Sequence, residues 1–288
     1  MFRGEKIWSI LLAFTIGFGT LFFGGNAAHA NYVEVWTESS YVNVFRHTIK
    51  TPDSSTSIHL SAARNEFEAA QILIRRDSVF TINGVTFTNL TSGGNSIASS
   101  NLKFQYVEYE YLNHNSVDMD NLVRKGAGHY PESLSNNATI AVAANATQPI
   151  WIRAYIPKNA AAGVYTGTAT VQTSQGNYSV GITVDVKNVT IPDTEDGAFT
   201  NAQWMQFYGP DSTDVVNGDN LHNAYGYPRL SADWWTLMEN FAENAKNYRT
   251  NSIPVNYVYM LLDGGSTVDA NGVYTFNWSV FDQVIQFF

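Results

Sequence analysis

Five side chains in the last third of the chain have the types and positions to meet a hydroxylated ligand: Trp204, Tyr208, His222, Tyr225 and Asp263. Asp263 closes the apolar run IPVNYVYMLL and precedes Gly264-Gly265, where a carboxylate either accepts from a ligand hydroxyl or caps the glycine turn. Trp204 and Tyr208 lie in and just after the run FTNAQWMQF, so their rings can stack on the apolar face of a sugar or fill a core. His222 has no second His or carboxylate at metal-ligand spacing, and no metal or cofactor is expected. The chain has no cysteine, which excludes disulfides, thiolate metal sites and a Cys nucleophile. It has no G-x-G-x-x-G after a strand, no P-loop, no G-x-S-x-G and no H-E-x-x-H.

Those five residues belong to a region with its own grammar. FTNAQWMQF predicts a short strand over 199–207 and IPVNYVYMLL a buried one over 253–262. Between them Ser231 is placed to cap a helix, with Asp233 in its first turn and Trp234, Leu237, Met238, Phe241, Ala245 and Tyr248 as its buried stripe. FNWSVFDQVIQFF, 276–288, predicts a second helix capped by Asn277, with Phe276, Val280, Phe281, Val284, Ile285 and Phe288 on one side. Strand, helix, strand, helix is how a parallel α/β sheet or barrel begins. A (β/α)8 barrel takes about 250 residues, so 199–288 has room for two βα units and reads as an incomplete barrel, cut before its last helix stops.

Ahead of it the period is two. YVNVFRH, IHLSAARNEFEAAQILIRR, LKFQYVEYEYL, PIWIRAYIP, VYTGTATVQT and YSVGITVDVKNV all predict strands, separated by turns such as Asn83-Gly84 and Gly176-Asn177. Some eight strands over 31–190 imply an N-terminal antiparallel β-sandwich, and 191–198, with its Pro, Gly and acids, a linker. The expected fold class is therefore multidomain, β followed by α/β. Arg64, Glu66 and Glu68 are candidates for a partly buried ion-pair cluster of structural purpose. Gly163 and Gly167 are expected to serve a turn and close packing, with Tyr165 between them as a packing residue.

Residues 1–30 carry Arg3 and Lys6, then an apolar run, then Ala28-His29-Ala30. This is the pattern of a secretory signal peptide cleaved after Ala30. Export, with no stable membrane anchor after cleavage, is the expectation. The formal net charge is −9, and an acidic chain is a poor partner for nucleic acid. The supply of aromatics, 16 Tyr, 17 Phe and 7 Trp, suits either strand filling or sugar stacking.

HLSAARNEFEAAQILIRR (59–76), YPESL (130–134), QPIWIRAYIPKNAAAGVYTGTATVQ (148–172) and VTIPDTED (189–196) together resemble the N-terminal sandwich of glycoside hydrolase family 123. SADWWTLMENFAENAKNYRTNSIPV resembles that family's first barrel helix and the turn after it, with Arg249-x-Asn251 matching and Tyr248 standing where relatives often carry His. The resemblance implies an exported, retaining β-N-acetylhexosaminidase, β-N-acetylgalactosaminidase-like, in which the substrate's own acetamido group is the nucleophile. It implies an adjacent Asp-Glu pair, the Asp orienting the acetamide and the Glu acting as acid and base. No Asp-Glu dipeptide occurs in 1–288, and Glu195-Asp196 is reversed and lies in the linker. The catalytic residues are thus expected downstream of Phe288, and the partner is a glycan or glycoconjugate. The alternative is a secreted sandwich that binds carbohydrate or a cell surface without catalysis.

Overall fold

The structure is a computed structural model. It describes residues 32–115, 122–196, 199–203, 207–209 and 225–288. Residues 1–30, expected to be a signal peptide, and Trp204 and His222 lie outside the described residues.

The first region is a sandwich of two sheets. One has the order β1 (Val33–Ser39), β3 (Glu66–Arg76), β10 (Thr147–Ile156), β7 (Leu102–Leu112), β8 (Gly128–Ser135). The other has the order β2 (Ser57–Arg64), β12 (Gly176–Thr190), β11 (Gly163–Thr173), β4 (Phe80–Phe87), β9 (Ile140–Val142). The short β5 (Leu90–Ser92) and β6 (Asn95–Ile97) pair with each other at its margin. Alternation does the packing. Val180, Ile182, Val184 and Val186 of β12 face Ile72 and Ile74 of β3 and Ile150, Ile152 and Ile156 of β10 in one shared core. Each such side chain contributes about 1.5–3 kcal/mol on leaving water.

Four expectations need correcting here. The sandwich is mixed rather than antiparallel, because β2 runs parallel to β12. Parallel neighbours need a long crossover, and the hundred-odd residues between Arg64 and Gly176 supply one. YVNVFRH is a loop, and the first strand is VEVWTES before it. Buried Gln71 holds that loop, its Nε2 donating to the carbonyls of Ser39 (2.9 Å) and Val42 (2.8 Å). The long run 58–76 is two strands in different sheets, broken at Asn65, whose φ of 59° turns the chain. Finally, Arg64, Glu66 and Glu68 form no ion-pair cluster. Arg64 bonds Asn188 and Thr190 on β12, while Glu66 accepts from the Ala63 N–H.

Other local choices follow from the sequence as expected. A Cβ on Gly167 would sit 2.6 Å from Leu90 Cδ2, so β5 approaches β11 there only over glycine. Tyr165 is buried and its hydroxyl donates to Ala161 O at 2.9 Å. Pro149 lies in a central strand yet cannot donate; Gln148 Nε2 donates to Val107 O (2.9 Å) beside it.

Beyond the sandwich the structure is helical. Helix α1 (Ala232–Asn247) starts at Ser231, whose hydroxyl accepts from the Trp234 N–H at 3.2 Å. Trp234 and Met238 are buried, Leu237 and Phe241 pack against them, and Tyr248 is half exposed at the helix end. The predicted strand 253–262 is corrected: Tyr257–Asp263 is helix α2. Met260 and Leu261 are neighbours and both are buried, which the alternating faces of a strand with one face in the core would not give, while Tyr257, Val258 and Leu262 stay exposed. Among the described residues of this region, parallel pairing amounts to one bridge, Ala202 to Ser252. Among the described residues no closed barrel forms.

The last helix, α3 (Ser279–Phe287), follows a hairpin of Thr267–Val268 and Tyr274–Thr275. The cap expected at Asn277 is corrected: Trp278 is the N-cap, without a side-chain cap bond, and Asn277 Oδ1 one residue earlier accepts from the Ser279 N–H at 3.0 Å as a local turn. Val280 and Val284 are buried against Trp234 and Met260, whereas Phe276, Ile285 and Phe288 remain exposed.

Candidate functional site

Asp263 is the last residue of α2, and its carboxylate is held from two sides. The Tyr208 hydroxyl donates to Oδ2 at 2.6 Å, and Arg229 Nη2 lies 3.1 Å from Oδ2 and 3.3 Å from Oδ1. Arg229 also donates to Gly209 O, and its guanidinium sits 5.2 Å over the Tyr208 ring. The opposite contact of that ring is edge-to-face with Trp234, 6.0 Å and 90°.

Each partner is placed by its element. Tyr208 is buried by Trp234, itself fixed by the Ser231 cap. Arg229 sits in the turn before α1, closed by Ser231 N–H to Pro228 O at 3.0 Å, with Leu230 at φ 64°. Gly264 lets Asn277 lie against the end of α2: a Cβ there would stand 2.7 Å from Asn277 O. The start of α3 is therefore brought next to Asp263.

The result is a carboxylate with its charge balanced by a guanidinium and its orientation set by a phenol. Its side chain keeps 30% of its accessibility, so it can still accept from an outside donor. Such a group suits hydrogen bonding to a ligand hydroxyl.

Of the five candidate residues, Tyr208 and Asp263 meet directly. Tyr225 is 52% exposed and its ring stacks on Tyr227, 6.1 Å apart and 21° from parallel. Trp204 and His222 lie outside the described residues. Arg229 was not foreseen. Its only signal is a cation two residues before a helix cap, a position that many surface arginines share.

A second constellation joins the sandwich to α1. Arg249, at φ 61°, donates to Pro192 O at 2.6 Å and to Asn65 O. Asn65 is buried, donates to Ile191 O (2.9 Å) and Asp193 Oδ1 (2.8 Å), and accepts from the Tyr155 hydroxyl (2.9 Å). Arg153 lies between the rings of Phe67 (5.0 Å) and Tyr248 (5.5 Å) and donates to the Tyr248 hydroxyl at 2.7 Å. Asn251 accepts from Asn201 N–H and donates to Phe199 O, both at 2.8 Å. Arg249 is thus a clasp between regions, whereas Asn251 ties together parts of 199–288. Asp193, bonded by Lys158 and Asn65, has its carboxyl held below the usual carboxylate range by those two donors, Lys158 first.

Residues 37–173 match the family model for the glycoside hydrolase 123 N-terminal domain. A family 123 glycoside hydrolase from Clostridium perfringens, solved in a study of glycolipid glycan hydrolysis, superposes with a TM-score of 0.71 at 14% identity. That superposition covers 89% of this chain and 45% of the clostridial one, so this chain spans less than half the length of that relative. The N-terminal domain of PorA (10% identity, TM-score 0.27) covers 54% of this chain and 99% of its own. The CooA pilin subunit of enterotoxigenic Escherichia coli (12%, TM-score 0.26) covers 55% and 99%. Neither likeness is close enough to carry an argument. No curated protein matches the chain.

Proposed function

We propose that this chain is the sandwich platform and the opening of the catalytic region of an exported glycoside hydrolase of the family 123 kind. The observation that carries the reading is the coincidence of two matches: a family model on the sandwich, and a likeness of fold that continues through the helices beyond it. In this reading 31–190 is the sandwich, 191–198 the linker and 199–288 the first βα units. The substrate class is a glycan ending in a 2-acetamido sugar, of the glycolipid type on which the clostridial relative acts.

The reaction proposed is retaining and substrate-assisted, with an Asp-Glu pair that lies beyond Phe288. What this chain supplies is positioning. Asp263, set by Tyr208 and Arg229, accepts from a sugar hydroxyl at the rim, and Tyr225 offers an exposed ring. Trp204 and His222 are proposed to join them. The clasp through Arg249 and Asn65 fixes that rim to the sandwich.

Two measurements test this. The coding sequence after Phe288 is expected to contain an Asp-Glu pair after a later strand; a barrel without acids removes the enzyme reading and leaves a binding sandwich. Residues 1–288 are expected to show no turnover of aryl 2-acetamido-2-deoxy-β-galactosides. Turnover abolished by a substitution within 31–288 would mean that the active site has been misplaced.

A further inference from the structure

The two sheets leave a cleft along one side. β1 is the outer strand of one sheet and β2 of the other, and they are bridged where the Thr37 N–H donates to Ser55 O at 2.8 Å. Thr37 Oγ1 adds a bond to Ser57 O at 2.9 Å. Around this bridge the loop 39–55 and the starts of β2 and β3 enclose a cavity of about 540 Å³. Eight of its 17 lining residues are Ser or Thr, three are Glu38, Asp53 and Glu68, one is His59, and none is Lys or Arg.

That lining selects a class of ligand. Three carboxylates without a cation repel phosphate, sulfate and acidic peptides. The density of hydroxyls gives an apolar ligand nothing to replace its own contacts. A molecule with many hydroxyl groups, by contrast, can donate to the carboxylates and both donate to and accept from the serines.

The lip of the cleft supplies the complementary apolar surface. Tyr41 lines the cavity and is 93% exposed. Its backbone is nevertheless fixed in advance. The Tyr41 N–H donates to Ser39 Oγ (3.3 Å), the Val42 N–H to Ser39 O (3.2 Å), and buried Gln71 bonds both Ser39 O and Val42 O from below. Trp36, Val44 and Leu73 form a small separate core under the same loop. A buried glutamine and a dedicated core thus hold an aromatic ring out in water, beside a hydroxyl-rich cleft. Preorganisation of this kind lowers the ordering cost of binding.

We infer that this cleft is a saccharide-binding site, with the Tyr41 ring as the stacking face and Glu38, Asp53 and Glu68 as acceptors for sugar hydroxyls. The site is on the sandwich, apart from Asp263, and stands whether or not the chain belongs to a hydrolase.

The test uses the full chain and an immobilised panel of neutral oligosaccharides built from galactose and from N-acetylated hexosamines. Retention on one or more of the sugars is expected, and Tyr41→Ala should weaken it about tenfold. Tyr41→Trp should keep it, Asp53→Asn should weaken it, and Asp263→Asn should leave it unchanged. Retention that Tyr41→Ala does not alter, or that Asp263→Asn abolishes, overturns the inference. So does binding of spermidine or a lysine-rich peptide with no sugar of the panel retained.

Discussion

The sandwich and the helical region bury apolar side chains by different routes. In the sandwich, β-ladders satisfy the backbone, and two inward faces close on each other in one cluster of 24 buried residues. In 199–288 the described residues form a cluster of seven, gathered around Trp234 and Met238. Large apolar side chains there stay in water, among them Leu262, Phe276, Ile285 and Phe288. A sheet pair completes its own core, whereas an amphipathic helix buries its stripe only as far as other elements reach it. The sandwich should therefore hold most of the molecule's stability, with the helical region depending on Trp234 and on the clasp.

The largest test of that contrast is a pair of equivalent truncations. Ile72 and Met238 are both fully buried, and each replacement by Ala should cost about 2–5 kcal/mol. Denaturant unfolding is expected in two transitions, the helical region first. Met238→Ala should lower only the first, and Ile72→Ala the second, followed by indole fluorescence and by far-UV circular dichroism. A single coincident transition that both variants shift equally would show that the regions are one cooperative unit.

Next in size is the clasp. Arg249→Ala leaves the carbonyls of Asn65 and Pro192 without their donor, a loss of about 1–3 kcal/mol. Because those bonds cross between regions, the expected effect is on coupling: the first transition moves down and the second barely moves. Arg249→Lys should rescue little, since one ammonium cannot reproduce the two-pronged geometry. If Arg249→Ala shifts both transitions together, the clasp does not join separable parts.

The contrast also explains what could be foreseen. Strands with a period of two, such as Tyr178–Val186 in β12, announce themselves because burial on one face repeats every second residue. The cap at Ser231 and the stripe through Trp234 and Met238 were equally visible. Asn65 was not: between two strand-forming stretches, in the polar triplet Arg64-Asn65-Glu66, one left-handed residue sends the chain from one sheet to the other. Nor was the helix at Tyr257–Asp263, where a short apolar run fits either period and tertiary contacts decide. Of the candidate site, the meeting of Tyr208 and Asp263 was foreseeable as a cluster. The part taken by Arg229 was not, since its reach depends on the turn at Leu230.

The smallest expected effect asks whether the sandwich is itself uniform. Glu68 shares a face of β3 with Ala70 and Ile72 but sits where the core opens into the cleft. Its carboxyl is raised above the ordinary glutamate value, first by desolvation and then by the charge of Glu66, against a bond from the Ala69 N–H. Asp53, Glu38 and His59 also line that space. A raised acid binds its proton more tightly in the folded state, so its contribution favours folding below the ordinary value and is lost as pH rises through the raised one. Glu68→Gln removes this dependence. Relative to the wild type, the variant should gain stability at about pH 7 compared with about pH 4, read as the denaturant midpoint of the sandwich transition. The first transition should not respond. If the wild-type and variant midpoints keep a constant separation between those pH values, Glu68 is as well solvated as a surface acid. The cleft edge of the sandwich would then be no different from its outer face.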